Sequence, residues 1–211
     1  MRNTSTAGII LAAGESSRFG QPKQLVELRG RMLVAWVLDA ALASRLETVV
    51  LVLGRDHQKI GDALGQRVCH PKLELVFNPR YHEGQSTSLT AGLFRIRDRF
   101  PAVMFLLGDQ PLVDASTINR LLEKFWHSGK TICVPVHGGQ RGNPALFNRS
   151  HYEELARLSG DTGARDIIAA RPSQILEVPI ADPSLFLDID TPADVENVSR
   201  LLSQTPVRGP R

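Results

Sequence analysis

Cysteine is scarce in this chain of 211 residues: Cys69 and Cys133 are the only two, and they stand far apart. No disulfide framework can be drawn from them, which points to a reducing cytoplasm with both thiols structural. Long apolar runs are also missing. No segment approaches a membrane span, and the run that follows residues 1–6 is too short for a signal peptide, so a cytoplasmic protein with no membrane contact is expected. Lys/Arg runs interleaved with aromatics do not occur, which removes the usual footprint of nucleic-acid binding. The net charge is only +3. The six histidines, at 57, 70, 82, 127, 137 and 151, share no metal-ligand spacing, and surface or loop roles are expected for them. Gly-x-Ser-x-Gly is absent, so a serine hydrolase has no nucleophile elbow.

What is present begins at residues 7–23. An apolar run, Ala7 to Ala12, stops at Ala13-Gly14 and becomes the polar, cationic loop Glu15-Ser-Ser-Arg18-Phe-Gly20-Gln-Pro-Lys23. The run reads as a buried strand and the loop as a backbone cradle for phosphate. Gly14 and Gly20 let main-chain N–H groups approach an anion, while Arg18 and Lys23 supply charge. Two familiar phosphate motifs do not fit. Five residues separate Gly14 from Gly20, against the four of a P-loop, and Ser16 stands where a dinucleotide fingerprint has its second glycine.

Strand and helix patterns then alternate. Strands are expected at 7–12, 25–28, 48–53, 73–77 and 102–107, with helices at 32–43, 56–64, 86–97 and 116–126, the third with serine as N-cap. Repeated β-then-α units with continuous apolar strands specify a parallel sheet covered on both faces, a three-layer α/β/α Rossmann-like fold. The rhythm breaks near residue 131. Segments 131–136 and 144–147 flank Gly138-Gly139 and read as an antiparallel hairpin at the sheet edge. Helical stretches at 152–158 and 165–170, strands at 175–180 and 186–189, and a closing helix at 191–202 complete the reading. Pro192 sits in the first turn of that helix. No linker divides the chain, so residues 1–204 are expected to form one domain and 205–211 a disordered tail.

In such sheets ligands bind at the carboxyl ends of the strands, where Gly14, Gly54, Asn78 and Asp109 all fall. A cationic loop facing strand-end carboxylates suits a metal-bound polyphosphate. Asp188 and Asp190, two apart on an extended segment, project to one side, and Asp oxygens are the ligands Mg²⁺ takes. Position alone leaves a turn or N-cap role open for Asp109, and an N-cap plus a surface charge open for the other two.

Taken together, Leu11-Ala-Ala-Gly14-x3-Arg18-Phe-Gly20-x2-Lys23, Gly108-Asp-Gln-Pro111 and Asp188-Ile-Asp190-Thr-Pro192 resemble the MobA-like nucleotidyltransferases. Arg141-Gly-Asn-Pro-Ala-Leu-Phe147 and Gly160-Asp-Thr-Gly-Ala-Arg165 are similar to the branch that makes molybdopterin cytosine dinucleotide. One departure is Phe19, where relatives commonly carry Met. The resemblance implies a nucleotidyltransferase fold and transfer of CMP from CTP to the terminal phosphate of molybdopterin, with Mg²⁺ as cofactor and release of pyrophosphate. It implies Leu11, Ala12, Ala13, Gly14 and Arg18 around the nucleotide, Lys23 on the α-phosphate, and Asp109 and Asp190 on the metal. Lys23, Arg18 and Asp109 form the catalytic set. Gly84, Ser86 and Ser88 would form the base pocket, with a plain helix cap as the alternative. Asn143 and Arg165 are candidates for the acceptor, against turn and helix-cap roles. A transient contact with a recipient molybdoenzyme or its chaperone also follows. Ala13, where guanylyl relatives tend to have Gly, favours CTP. GTP as donor, a sugar or polyol phosphate as acceptor, and a non-catalytic carrier are the other readings. The pairing of Lys23 with a metal-binding Asp109 speaks against the carrier.

Overall fold

The computed structural model describes residues 4–14 and 19–204; Arg18 and the tail 205–211 lie outside the described residues. Strand β1 (Thr6–Ala12) is followed by a small hairpin, β2 (Glu27–Leu28) and β3 (Arg31–Met32), whose two-residue loop has both Arg29 and Gly30 at positive φ. Helix α1 (Leu33–Ala43), strand β4 (Thr48–Leu53), α2 (His57–Leu64), β5 (Leu73–Phe77), α3 (Gln85–Ile96), β6 (Ala102–Leu107) and α4 (Ala115–Ser128) follow in strict alternation. The last third contains β7 (Ile132–His137), β8 (Gln140–Arg141), β9 (Ala145–Asn148), the short helices α5 (Tyr152–Leu155) and α6 (Arg165–Ala169), β10 (Ile175–Pro179) and α7 (Pro192–Gln204).

The large sheet runs β10-β7-β9-β6-β1-β4-β5, with β8 attached to β7. β1 is parallel to both β4 and β6, and β4 is parallel to β5. Because successive side chains on a strand face opposite ways, each central strand feeds two cores. Ile10, Leu51 and Met104 pack with α1, α2 and α4, while Ile9, Val50 and Phe105 pack with α3, α5 and α6. This explains the unbroken apolar runs of β1, β4 and β6, and it confirms the three-layer, mostly parallel architecture. A third, smaller cluster joins α7 to the β2–β3 hairpin through Leu28, Leu33, Ile189 and Val198.

Several local expectations change. The antiparallel element is not at the edge: β9 lies between β6 and β7, antiparallel to each, and β10 adds beyond β7 as the edge strand. Only the two-residue β8, folded back across Gly138-Gly139, stands off the main path. Residues 23–25 form a 3-10 turn, so the strand expected at 25–28 is confined to Glu27–Leu28. Residues 183–186 form another 3-10 turn, and in place of the strand expected at 186–189 Ile189 donates its N–H to the Asp109 carbonyl at 3.0 Å. Helix α3 is preceded by Gly84 with no side-chain cap.

Candidate active site

β1 is flanked on both sides by parallel strands, and the carboxyl ends of β1 and β6 open into a cleft of about 940 Å³. The strand ends approach one another closely. A Cβ on Gly54 would lie 2.6 Å from the Ala13 carbonyl oxygen and 3.0 Å from the Tyr81 ring, and one on Gly108 would lie 2.9 Å from Ala12 Cβ. Glycine at these two positions is what lets Ala12 and Ala13 lie so close to the neighbouring strand ends. This end of β1 is tied to Gln24, a buried residue whose Nε2 donates to the carbonyls of Ala12 at 2.6 Å and Gly14 at 3.3 Å. Sequence reasoning missed this residue, because nothing local marks a glutamine whose partners lie ten and twelve positions upstream.

Lys23, beside it, joins the two carboxylates that end different segments. Its Nζ lies 2.8 Å from Asp109 Oδ2, at the end of β6, and 2.8 Å from Asp190 Oδ1, just before α7. Burial works against the lysine charge, but the two carboxylates outweigh it and hold the ammonium pKa above the ordinary lysine value. Ile189, fully buried, pins the Asp190 segment to β6. Asp194 then folds back to accept from the N–H groups of Asp190 (3.0 Å) and Thr191 (2.7 Å). The hydrogen bonds from Thr191 and Asp190 hold its carboxyl below the usual carboxylate range. Asp188 turns toward Gln110, whose Nε2 donates to it at 2.8 Å. Desolvation of its inner side, reinforced by the charges of Asp109 and Asp190, raises the Asp188 pKa.

The same carboxylates can be tested as metal ligands. Asp109 Oδ1 is buried and has no hydrogen-bond partner among the described residues, an arrangement that ordinarily demands one. Among these residues no group of three or more His, Cys, Asp or Glu is gathered to cage an ion. Two aspartates are therefore what the protein offers. This half-site fits a hard divalent cation that completes its shell with phosphate oxygens and water.

The opposite wall is α3 and the loop before α6. Gly84 has φ 108°, and a Cβ there would sit 2.3 Å from Gly160, so the two backbones touch. Ser86 donates both its N–H (3.2 Å) and its hydroxyl (2.7 Å) to the Gly160 carbonyl, and Gln85 N–H donates to Asp161 at 3.3 Å. Ser86 is 1% exposed and lies outside the cleft lining, acting as a tie between helix and loop. Ser88 does line the cleft, and its hydroxyl accepts from Asn78 Nδ2 at 2.9 Å. Leu11, Ala12, Ala13, Gly14 and Gly84 line it too, as do Asn143 and Arg165. The Arg165 guanidinium makes no ion pair among the described residues. Tyr81 and Asp161 are further lining residues that the sequence did not single out. Among the described residues no helix is long and apolar enough to cross a membrane.

The chain is similar to several known proteins. Rv0371c from Mycobacterium tuberculosis H37Rv superposes with a TM-score of 0.80 at 29% identity, covering 95% of this chain and 100% of that one. A second structure of it, a complex with manganese, gives 0.74 at 28%, with 95% and 100% coverage. A nicotine blue oxidoreductase of Paenarthrobacter nicotinovorans is 30% identical over 92% of this chain and 95% of its own length. A probable molybdenum cofactor guanylyltransferase of Thermococcus sibiricus is also 30% identical, over 61% of this chain and 60% of that protein. The profile of the MobA-like NTP transferase domain matches residues 8–178, and this chain is a member of that nucleotidyltransferase family.

Proposed function

We propose that residues 1–204 work as one cytoplasmic domain that transfers CMP from CTP to the terminal phosphate of molybdopterin. The observation that carries this reading is Lys23 held between Asp109 and Asp190 at the mouth of a strand-end cleft. A phosphate oxygen of the acceptor attacks the α-phosphorus of CTP as the bond to the β-phosphate breaks, and pyrophosphate leaves. No side-chain nucleophile is needed, so the protein contributes position and charge. Amides of the Gly14 loop and Arg18 hold the triphosphate. Lys23 stabilises the charge that builds on the α-phosphate and on the departing pyrophosphate. Mg²⁺ on Asp109 and Asp190 would supply neutralisation of the nucleotide phosphates. Gly84 and Ser88 border the base, with Ser86 fixing that wall, while Asn143 and Arg165 receive the acceptor. The methyl group of Ala13, in the cleft lining, leaves less room for a purine and supports CTP. Product release to a recipient molybdoenzyme or its chaperone is part of the same reading.

Mass analysis of the product tests it. The protein is incubated with molybdopterin, Mg²⁺ and an equimolar mixture of CTP and GTP. The cytosine dinucleotide is expected. The guanine dinucleotide would overturn the base assignment, and no dinucleotide of either kind would overturn the acceptor.

A further inference from the structure

The place between Asp109 and Asp190 is held by a cation that belongs to the chain. Lys23 Nζ contacts one oxygen of each at 2.8 Å, and with its side chain only 17% exposed the pair with Asp109 is partly shielded from water, while Asp190 is half exposed. Without it, two carboxylates drawn together from separate segments would have no ion-pair partner among the described residues. Lysine carries a compact charge on a flexible stem, able to swing from a carboxylate to a phosphate without moving the backbone. The 3-10 turn that bears it is anchored independently, through Gln24 to the Ala12 and Gly14 carbonyls.

We propose that Lys23 is a placeholder cation: it closes the Asp109–Asp190 pair to a divalent ion until nucleotide phosphates draw the ammonium away. This rests on the half-site read above. Metal alone then binds the free protein weakly, because Lys23 must first be displaced. Nucleotide binding removes that obstacle, and by reciprocity the metal strengthens nucleotide binding. Bare metal is kept from the site, and the competent state forms only with both present.

The probe is Mn²⁺ alone, titrated into the nucleotide-free full chain, with free ion followed by electron paramagnetic resonance. Lys23→Met is expected to bind on the order of tenfold tighter than wild type or more, the usual size of such coupling. Arg165→Met removes the same charge from the same cleft without touching the carboxylates, and is expected to match wild type. Adding Asp109→Asn to Lys23→Met should abolish the gain. Equal affinity for wild type and Lys23→Met, with both lost on Asp109→Asn, would overturn the placeholder while leaving the metal site standing. Equal gains in Lys23→Met and Arg165→Met would reduce the effect to net charge and overturn it as well. Binding indifferent to Asp109→Asn in every background would remove the metal half-site itself.

Discussion

Asp109 divides its work between two atoms: Oδ2 accepts from Lys23, while Oδ1 is buried and unpartnered among the described residues. Asp109→Asn keeps the shape and removes the charge, so turnover should fall by roughly a hundredfold or more while the thermal midpoint stays close to wild type. Circular dichroism melting beside a steady-state assay checks both halves. Lys23→Ala should lower kcat by on the order of a hundredfold and alter nucleotide affinity much less, because its contribution grows as the α-phosphate gains charge. A loss confined to nucleotide affinity, measured by calorimetry, would place Lys23 in binding alone. These residues were legible because each follows a sharp change of pattern, Asp109 after an apolar strand and Lys23 at the end of a glycine loop. Gln24 was not, since its function lies in carbonyls that only the fold brings near.

The wall built from α3 and the 160–164 loop shows the limit of reading one element at a time. The serine-rich start of α3 resembles an N-cap, yet Ser86 points at Gly160 and the helix amides meet Gly160 and Asp161. That pairing joins segments over seventy residues apart, beyond the reach of any local rule. Gly84→Ala forces a side chain into a φ of 108° against the Gly160 backbone. It should cost about 2 kcal/mol or more in urea denaturation and loosen the loop to proteolysis. The turn between β9 and α5 makes a pH prediction. His151, expected at the surface, is buried beside Phe147, with Nε2 2.9 Å from Thr131 Oγ1. Desolvation, helped by Arg171, lowers its pKa from 6.5. A base whose folded pKa is depressed contributes stability above its unfolded value and loses it as pH falls from about 6.5 toward the lower folded value. His151→Asn should flatten that acid limb in melts run from pH 7 to 5.

At the scale of the whole molecule, the parallel half was legible because its central strands β1, β4 and β6 are buried on both faces and each is closed by a turn residue. The placement of β9 was legible only in part. The expected hairpin forms, β9 pairing antiparallel with β7, but β9 also enters beside β6 and carries Phe147 into the core, so the hairpin is not at the edge. The consequence for the site is direct: Asn143 and Ala145 are brought into one cleft with Asp109. What the fold alone cannot carry is the choice of base and acceptor, since relatives of the same architecture bear different names.

The most direct test is pyrophosphate release by the purified protein with Mg²⁺, comparing CTP, GTP and ATP with and without molybdopterin. Release with CTP, and only when molybdopterin is present, is the predicted result. Release with GTP in preference to CTP, or no release with any nucleotide despite measurable CTP binding, would contradict it.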